Sequence, residues 1–234
     1  ALMGTQSAAD VWRAKGYARP LAVVPQFGVD PQLFQPGTPD ARPFTIGYIG
    51  RLVVEKGVDL LLDAAARLRG EWRLRLVGSG PQEDALRAQA ERLGIAERIT
   101  WIPWAASTEM PAQYHELDAL ALPSLTRPNW KEQFGRVLIE AMASGVPVIG
   151  SDSGAIPGII GDAGIVVPEG DAEALAGALC KLRDDAACRE RLAASGRAHV
   201  LAHFTHEQVA ADTVAAYRAM LEGRHSSKRA SNGE

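Results

Sequence analysis

Short apolar segments alternate with segments of helical periodicity along most of this chain, and this alternation restricts the fold more than any other feature. Strands are predicted at 44–49, 73–77, 99–102, 119–122, 146–149 and 164–167. Helices are predicted at 57–68, 81–93, 109–116, 136–144, 156–160, 172–183, 186–202 and 206–221. Such alternation favours an α/β fold, a Rossmann-like parallel sheet with helices on both faces, whose ligands bind at the carboxyl ends of the strands.

Composition narrows the class of protein. The chain has 234 residues, 47% of them hydrophobic, which supports a folded core, and a net charge of −3, which gives no indication of nucleic-acid binding. Its two cysteines, Cys180 and Cys188, are too few for a disulfide framework and favour a reducing, cytoplasmic location. The sequence shows neither a signal peptide nor an apolar run of about 18 residues, so we expect no membrane span.

The segment 131–149 carries the strongest candidate site. Glu132 and Glu140 flank a Phe-Gly pair and an apolar run of helical spacing, so Glu132 is predicted in a loop and Glu140 inside the helix that follows. A helix start near Gly135 presents unpaired N–H groups and a partial positive charge, which suit a phosphate. Because a carboxylate on either side could accept hydrogen bonds from sugar hydroxyls, the pattern matches a nucleotide-sugar.

With Glu-Gln-Phe-Gly before the helix and Glu-Ala-Met-Ala-Ser-Gly-Val-Pro-Val within and after it, this segment resembles the donor-binding signature of retaining GT-B glycosyltransferases of group 1, the GT4-like family. The resemblance implies the C-terminal, donor-binding domain of a GT-B fold. It also implies that Glu132 lies near the donor sugar hydroxyls and Glu140 at the nucleotide ribose. The implied donor-binding residues of the helix start are Phe134, Gly135, Arg136 and Val137.

Two cations follow the strand at 44–49. Gly50 and Arg51 end that strand, and Lys56 comes five residues after Arg51, before a predicted helix. An arginine fork and a lysine point charge suit a diphosphate and would stabilise the charge that it gains on leaving. The segment 50–57 matches the group 1 pattern G-R-L-x-x-E-K-G, which implies diphosphate contacts for both cations. Arg51, Lys56 and Glu132 are therefore the candidate catalytic residues, although two solvated surface charges remain the alternative for the cations.

Two glycine-containing loops are predicted to turn tightly, and the resemblance implies that the first of them, which contains Gly78, lines the donor cleft. Val-Gly-Ser-Gly-Pro at 77–81 has Glu83 where a dinucleotide fingerprint needs its third glycine, so a tight turn at Gly78 is predicted instead. At 151–158 a turn is expected at Gly154, although Ala155 and Gly158 depart from the Gly-Gly-x-Pro-Glu of the resembled family.

The tryptophan-rich segment 101–104 precedes Ala105. The resemblance places Ala105 in the loop that contacts the nucleobase, and the alternative that these tryptophans only pack stays open. His199, His203 and His206 could form a metal face, but no carboxylate or cysteine completes it, so a surface role is predicted. Neither a metal nor another cofactor is expected, because the cations and the helix start would meet the phosphate charge.

By the same resemblance the chain divides into five parts. They are a remnant of an N-terminal acceptor-binding domain at 1–30, a linker at 31–43, the nucleotide-sugar-binding domain at 44–205, a crossing helix at 206–222 and a disordered tail at 223–234. The bulk of the acceptor domain would then be missing, so we expect this chain to bind a donor but to transfer its sugar poorly or not at all.

Several functional expectations follow. The donor is a UDP-, GDP- or ADP-linked sugar, and the intact enzyme would transfer its sugar with retention of configuration to an unknown acceptor. The predicted location is cytoplasmic, with any membrane association peripheral and on the inner face. Two alternatives stay open: a non-catalytic module that binds nucleotide diphosphates, and an epimerase or dehydrogenase of the Rossmann type, which the absent G-x-G-x-x-G disfavours.

Overall fold

The computed structural model describes residues 1–38, 41–103 and 105–231, with side chains as far as residue 222. Its strands are β1 (Leu2–Met3), β2 (Ala22–Val23), β3 (Phe44–Ile49), β4 (Trp72–Val77), β5 (Ile99–Ile102), β6 (Ala119–Leu122), β7 (Val148–Ser151) and β8 (Ile165–Val167). Its α-helices are α1 (Gln6–Ala14), α2 (Val58–Ala66), α3 (Glu83–Arg92), α4 (Met110–His115), α5 (Arg136–Ala143), α6 (Ile156–Ile160), α7 (Ala172–Asp184), α8 (Ala186–His203) and α9 (His206–Ser231). Short 3₁₀ turns lie at Val54–Lys56 and Ala96–Arg98.

The main sheet has six parallel strands in the order β5-β4-β3-β6-β7-β8. Counted from its first strand this is 3-2-1-4-5-6, the order of doubly wound nucleotide-binding folds. The chain builds outward from β3 to β5, returns to β6 beside β3, and then builds outward to β8. The predicted parallel α/β sheet is therefore confirmed, and its switch point lies between β3 and β6.

The core lies on the sheet and under its helices. Every residue of β6 is buried, and β3 is buried after its first residue. A strand buried on both faces reads as a nearly continuous apolar run, which explains why these strands were predictable. Helix α2 packs against α7, and α5 against α8. Each large side chain buried in this way contributes roughly 1.5–3 kcal/mol to folding.

The end of α5 explains one boundary that the sequence placed wrongly. Strand β7 was predicted from Val146 but begins at Val148. Gly145 adopts a φ of 72° and donates to the Met142 carbonyl, while the amide of Val146 donates to that of Ala141. These two bonds form a Schellman cap. Val146 therefore closes the helix instead of opening the strand.

The C-terminal helix corrects a second expectation. Helix α9 runs to Ser231, so residues 223–231 are helical where a disordered tail was predicted. That segment contains no proline, and a helix once formed gains one backbone hydrogen bond for each added residue. Residues 232–234 of the predicted tail, residues 39–40 of the predicted linker and Trp104 of the predicted base-contacting loop lie outside the described residues.

Two chain segments, one around Val29 and one around Thr205, run alongside each other. We call them the crossing segments. Val29 forms a parallel bridge with Thr205. The amide of Val29 donates to the Phe204 carbonyl over 2.8 Å, and the amide of His206 donates to the Val29 carbonyl over 3.2 Å. The N-terminal segment with β1, α1 and β2 is thus tied to the start of α9. Among the described residues, no helix combines the length and the apolar content needed to cross a bilayer.

Candidate functional site

The site is built on the carboxyl ends of neighbouring strands. Gly50 and Arg51 follow β3, Ser124 follows β6, and Gly78 follows β4 on the other side of β3. Ligands of open parallel sheets bind in the crevice at such a switch point. The fold therefore brings the predicted cations and the loop that carries Glu132 to one edge of the sheet.

The centre of the site is an ion pair between Lys56 and Glu132. The ammonium nitrogen of Lys56 lies 2.5 Å from Oε2 of Glu132, and the Ser124 hydroxyl donates to the same oxygen over 2.9 Å. Glu132 is only 7% exposed. A buried carboxylate needs such partners, because desolvation of an unpaired charge is costly. The Lys56 ammonium also lies 5.2 Å from the ring centre of Trp130, at a distance that suits a cation–π contact.

Backbone contacts fix the turn that carries Lys56. The amide of Leu125 donates to the Glu55 carbonyl over 2.8 Å. Gly57 has a φ of 63°, and a Cβ at this position would lie 2.1 Å from the Pro123 carbonyl oxygen. The turn after β3 and the loop after β6 are therefore in direct contact, which places Lys56 beside Glu132.

The loop at 151–158 supports Glu132 from the opposite side. Gly154 turns with a φ of 59°, as predicted, and a Cβ there would lie 2.1 Å from the Glu132 carbonyl oxygen. The amide of Ala155 donates to the same oxygen over 2.9 Å. Although Ala155 and Gly158 depart from the family pattern, the loop still holds the backbone of Glu132.

Helix α5 begins at Arg136, as predicted, with Gly135 at its N-cap in the left-handed region at a φ of 81°. In the described structure no side chain caps this helix start. The amides of Arg136 and Val137 are thus free to donate to a ligand, and the helix dipole adds a partial positive charge. Together with Arg51 and Lys56, this helix start can meet the charge of a diphosphate.

Arg51 is exposed, and a hydrogen bond to its backbone carbonyl holds the turn in place. The buried hydroxyl of Tyr48 donates to the Arg51 carbonyl over 2.6 Å. Burial, reinforced by the charge of Glu132, raises the pKa of Tyr48, so this hydroxyl keeps its proton and remains a donor. At Gly78 a Cβ would lie 1.9 Å from the Gly50 carbonyl oxygen. Glycine is therefore required for the two turns to meet.

Glu140 lies one turn into α5 and is 7% exposed. The Tyr114 hydroxyl donates to its Oε2 over 2.6 Å, and Nε of Arg136 lies 2.8 Å from its Oε1. Burial raises the pKa of Glu140, and the hydrogen bond from Tyr114 and the charge of Arg136 oppose this rise. Because Arg136 is 57% exposed in its side chain, it can move and leave Oε1 to a ligand hydroxyl.

A family model described as glycosyl transferases group 1 matches residues 29–199, which is well over half of the chain. The chain belongs to the group 1 glycosyltransferases. A D-inositol 3-phosphate glycosyltransferase from Segniliparus rotundus is 35% identical over 222 aligned residues, covering 86% of this chain and 47% of that protein. This group 1 domain therefore spans about half the length of that relative.

Solved structures agree with the family assignment. Sucrose-phosphate synthase from Thermosynechococcus elongatus superposes with a TM-score of 0.82 at 27% identity, over 95% of this chain and 58% of that one. The Anabaena protein HepE in complex with UDP superposes with a TM-score of 0.83 over 94% of this chain and 63% of that one. At 23% identity the second likeness shows the fold alone. The predicted GT-B, group 1 resemblance is confirmed.

Two predicted donor-binding residues of this glycosyltransferase domain have side chains that pack against other parts of the protein. The Phe134 side chain is 2% exposed and packs edge-on against Phe27 and Phe204, with ring centres 5.3 and 6.0 Å away. Its apolar ring is satisfied inside the protein, so only its backbone is available to a donor. Ala105 is half-buried after β5 and packs against the core, and its predicted contact with the base stays a prediction.

Sequence reasoning missed two side chains that hold the acids. Ser124 could have been found, because it lies two residues after a buried strand, at the edge where ligands bind. Tyr114 could not have been found, because it lies 26 residues from Glu140 in the sequence. The spacing of apolar residues also does not show whether a tyrosine only packs in the core or donates a hydrogen bond there. Both hydroxyls bind a buried carboxylate oxygen.

The histidines are distributed as packing and surface residues. His199 is half-buried, its Nε2 lies 3.1 Å from the Ile159 carbonyl oxygen, and burial lowers its pKa. His203 and His206 are exposed. In the part of the chain whose side chains are described, no three His, Cys, Asp or Glu residues group closely enough to hold a metal ion.

Proposed function

We propose that this chain binds a nucleotide-diphosphate sugar at the β3–β6 switch point and that the complete protein transfers the sugar to an acceptor with retention of configuration. One observation carries the proposal. The ion pair of half-buried Lys56 and buried Glu132 lies at the same sheet edge as Arg51 and the uncapped start of α5. Group 1 membership supports a nucleotide-linked sugar as the donor, and the UDP bound by the structural neighbour HepE makes a UDP-linked sugar the first candidate, with GDP- and ADP-linked sugars as further candidates.

In this proposal the diphosphate lies between the α5 amides and the two cations. Lys56 would turn from Glu132 towards the phosphates, and Glu132 would then accept hydrogen bonds from donor sugar hydroxyls while Ser124 still donates to it. Glu140 would accept from the ribose hydroxyls. When the glycosidic bond breaks, the cations and amides stabilise the charge gained by the diphosphate. No metal is needed for this step.

Part of the proposal concerns the complete protein. This chain spans about half of its curated relative, so the bulk of the acceptor domain would come from the rest of the protein and this chain alone would transfer poorly. A cytoplasmic location, with any membrane association limited to the inner surface, belongs to the same proposal.

Calorimetry with UDP, GDP, ADP and uridine tests the donor site. Lys56→Ala should weaken binding of the preferred diphosphate by about tenfold, roughly 1.4 kcal/mol, and that of its nucleoside much less. Glu140→Ala should weaken both, because the ribose is common to both. Lys181→Ala, an exposed lysine on α7, is the control and should change neither. Binding of none of the three diphosphates, or an equal loss for nucleoside and diphosphate in Lys56→Ala, would refute the assignment.

A second measurement separates transfer from simple binding. Release of free sugar from the preferred nucleotide-sugar is followed in parallel with binding. A transferase domain should release sugar slowly, and Glu132→Gln should reduce that release more than it reduces nucleotide affinity. If the wild-type chain binds the nucleotide but releases no sugar, and Glu132→Gln leaves the affinity unchanged, a non-catalytic nucleotide-diphosphate module would be favoured.

A further inference from the structure

A crevice opens between the N-terminal segment and the loop that precedes α5. Its volume is about 640 Å³, and it is lined by α1 and the residues before it on one side and by residues 126–133 on the other. This volume suits a small-molecule ligand. Glu132 forms part of its wall. A ligand in this crevice would therefore lie beside the carboxylate that we place at the donor sugar.

The crevice is positively charged although the chain as a whole carries a net charge of −3. Lys15 from the segment after α1 and Arg127 and Lys131 from the loop line it. Among the described residues, no carboxylate forms an ion pair with any of these three side chains. Glu132 is the acidic residue in this lining, and its carboxylate already bonds to Lys56 and Ser124. A cleft lined by one sign of charge favours a ligand of the opposite sign.

The remaining lining fits a hydroxylated ring better than a bare anion. Trp12, which is 47% exposed, lies on the α1 side, and Trp130 lies on the loop side. Indole rings offer flat apolar surface to the C–H face of a sugar. Ser7 and Asn129 add a hydroxyl and an amide that can bond to ligand hydroxyls. An inorganic anion would use the three cations and leave these groups unused.

We propose that this crevice binds the acceptor, and that the acceptor is a sugar or polyol with an anionic group, a phosphate or a carboxylate. The inference rests on the proposed function, because the donor sugar at Glu132 makes the neighbouring crevice an acceptor site. In the reaction, an acceptor hydroxyl oxygen forms a bond to the anomeric carbon of the donor while the bond from that carbon to the diphosphate breaks. The diphosphate leaves with the electron pair, and the hydroxyl proton passes to it or to water.

Calorimetry in the presence of saturating UDP tests this assignment on the chain itself. The probes are glucose 6-phosphate, glucuronate, glucose and inorganic phosphate. We expect both charged sugars to bind at least about tenfold more tightly than glucose, and glucose 6-phosphate more tightly than inorganic phosphate. The phosphate and carboxylate arms show which anionic group the crevice prefers. Added salt should weaken the binding of the charged sugars and leave the affinity for glucose unchanged.

Matched variants locate the binding. Arg127→Gln/Lys131→Gln should reduce the affinity for glucose 6-phosphate to that for glucose and leave UDP affinity unchanged. The control Arg92→Gln/Lys181→Gln removes the same charge from exposed positions on α3 and α7 and should have no effect. In addition, glucose 6-phosphate should change the tryptophan emission of the wild-type chain, and Trp12→Phe should reduce that change.

The outcomes that overturn the inference are distinct. If UDP binds but the charged sugars bind no better than glucose, the anionic acceptor is wrong and the donor site stands. If inorganic phosphate binds as tightly as glucose 6-phosphate, the crevice recognises an anion alone and the inference also fails. If UDP, GDP and ADP all fail to bind, the proposed function fails and the acceptor role with it.

Discussion

At the scale of single residues, Glu140 is the acid whose surroundings allow a test by pH. Its burial raises its pKa above that of the unfolded chain, and the Tyr114 hydroxyl opposes this rise. A raised folded-state pKa favours folding in acid, and that contribution is lost as the pH rises through the folded-state pKa. The Tyr114 hydrogen bond therefore matters most at neutral pH, where the carboxylate is ionised.

Tyr114→Phe should lower the free energy of unfolding by about 2 kcal/mol at about pH 7.5, because it removes a buried bond to an ionised group. At about pH 4 the loss should be smaller, because protonation relieves the charge that needed this donor. Denaturant unfolding of both proteins at both pH values measures the difference. In this variant nucleotide binding should begin to weaken at a higher pH than in the wild type as the pH falls from neutral, because Glu140 without the Tyr114 hydroxyl takes up its proton sooner.

The control is Tyr17→Phe, which removes a hydroxyl that makes no hydrogen bond among the described residues and should cost little at either pH. An equal loss of stability at the two pH values in Tyr114→Phe would show that the hydroxyl acts by packing alone. The assignment of Tyr114 as the residue that positions Glu140 would then be wrong.

At the scale of elements, the start of α2 determines where Lys56 lies. Gly57 and Gly94 share a left-handed backbone, with φ values of 63° and 69°. A Cβ at Gly57 would lie 2.1 Å from the Pro123 carbonyl oxygen, whereas nothing lies within 4 Å of one at Gly94. The two positions thus separate the cost of the backbone conformation from the cost of a collision between elements.

Gly94→Ala should cost about 1 kcal/mol of unfolding free energy, the penalty of alanine in the left-handed region. Gly57→Ala should lower the free energy of unfolding clearly more and should also weaken UDP binding. The turn must then move away from the loop after β6, and Lys56 moves away from Glu132 with it. Chemical denaturation and calorimetry on both variants check this. Equal costs, or unchanged UDP affinity in Gly57→Ala, would show that the turn is not held by this contact.

Elements were predictable where one local rule decided them. Strand β6 is buried on both faces, and α5 begins after a glycine, so the sequence alone located both. Strands β1 and β2 have two residues each and pair with one another across α1, so no periodicity could reveal β1. The start of β7 was placed too early because the Schellman cap of α5 uses the amide of Val146.

The same distinction applies to the candidate site. Local patterns and the family resemblance together indicated its acids and cations, whereas the contact of Lys56 with Glu132 joins residues 76 positions apart and depends on the strand order. The Phe134 ring packs inside the protein, so its predicted contact with the donor stays a prediction for its backbone alone. A sequence pattern does not distinguish an aromatic ring that faces a ligand from one that faces the core.

At the scale of the whole molecule, the two crossing segments meet the donor loop through Phe134. Its ring contacts Phe27, from the segment before the Val29 bridge, and Phe204, from the segment that ends α8. Phe134 is also two residues from Glu132 and adjacent to Gly135. Any shift of the crossing segments is therefore transmitted by packing to the loop that presents Glu132, because close-packed interiors transmit strain.

Phe134→Leu tests this coupling against Phe44→Leu, a phenylalanine at the amino end of β3, far from the switch point. Each substitution should lower the free energy of unfolding by about 1 kcal/mol, as a change of shape in a packed site does. Only Phe134→Leu should also weaken UDP binding, by about threefold or roughly 0.7 kcal/mol, because Glu132 and the start of α5 lose their fixed position. Thermal unfolding and calorimetry measure the two effects separately. If both variants bind UDP as the wild type does, the crossing segments and the donor loop are mechanically independent, and the packing of Phe134 serves stability alone.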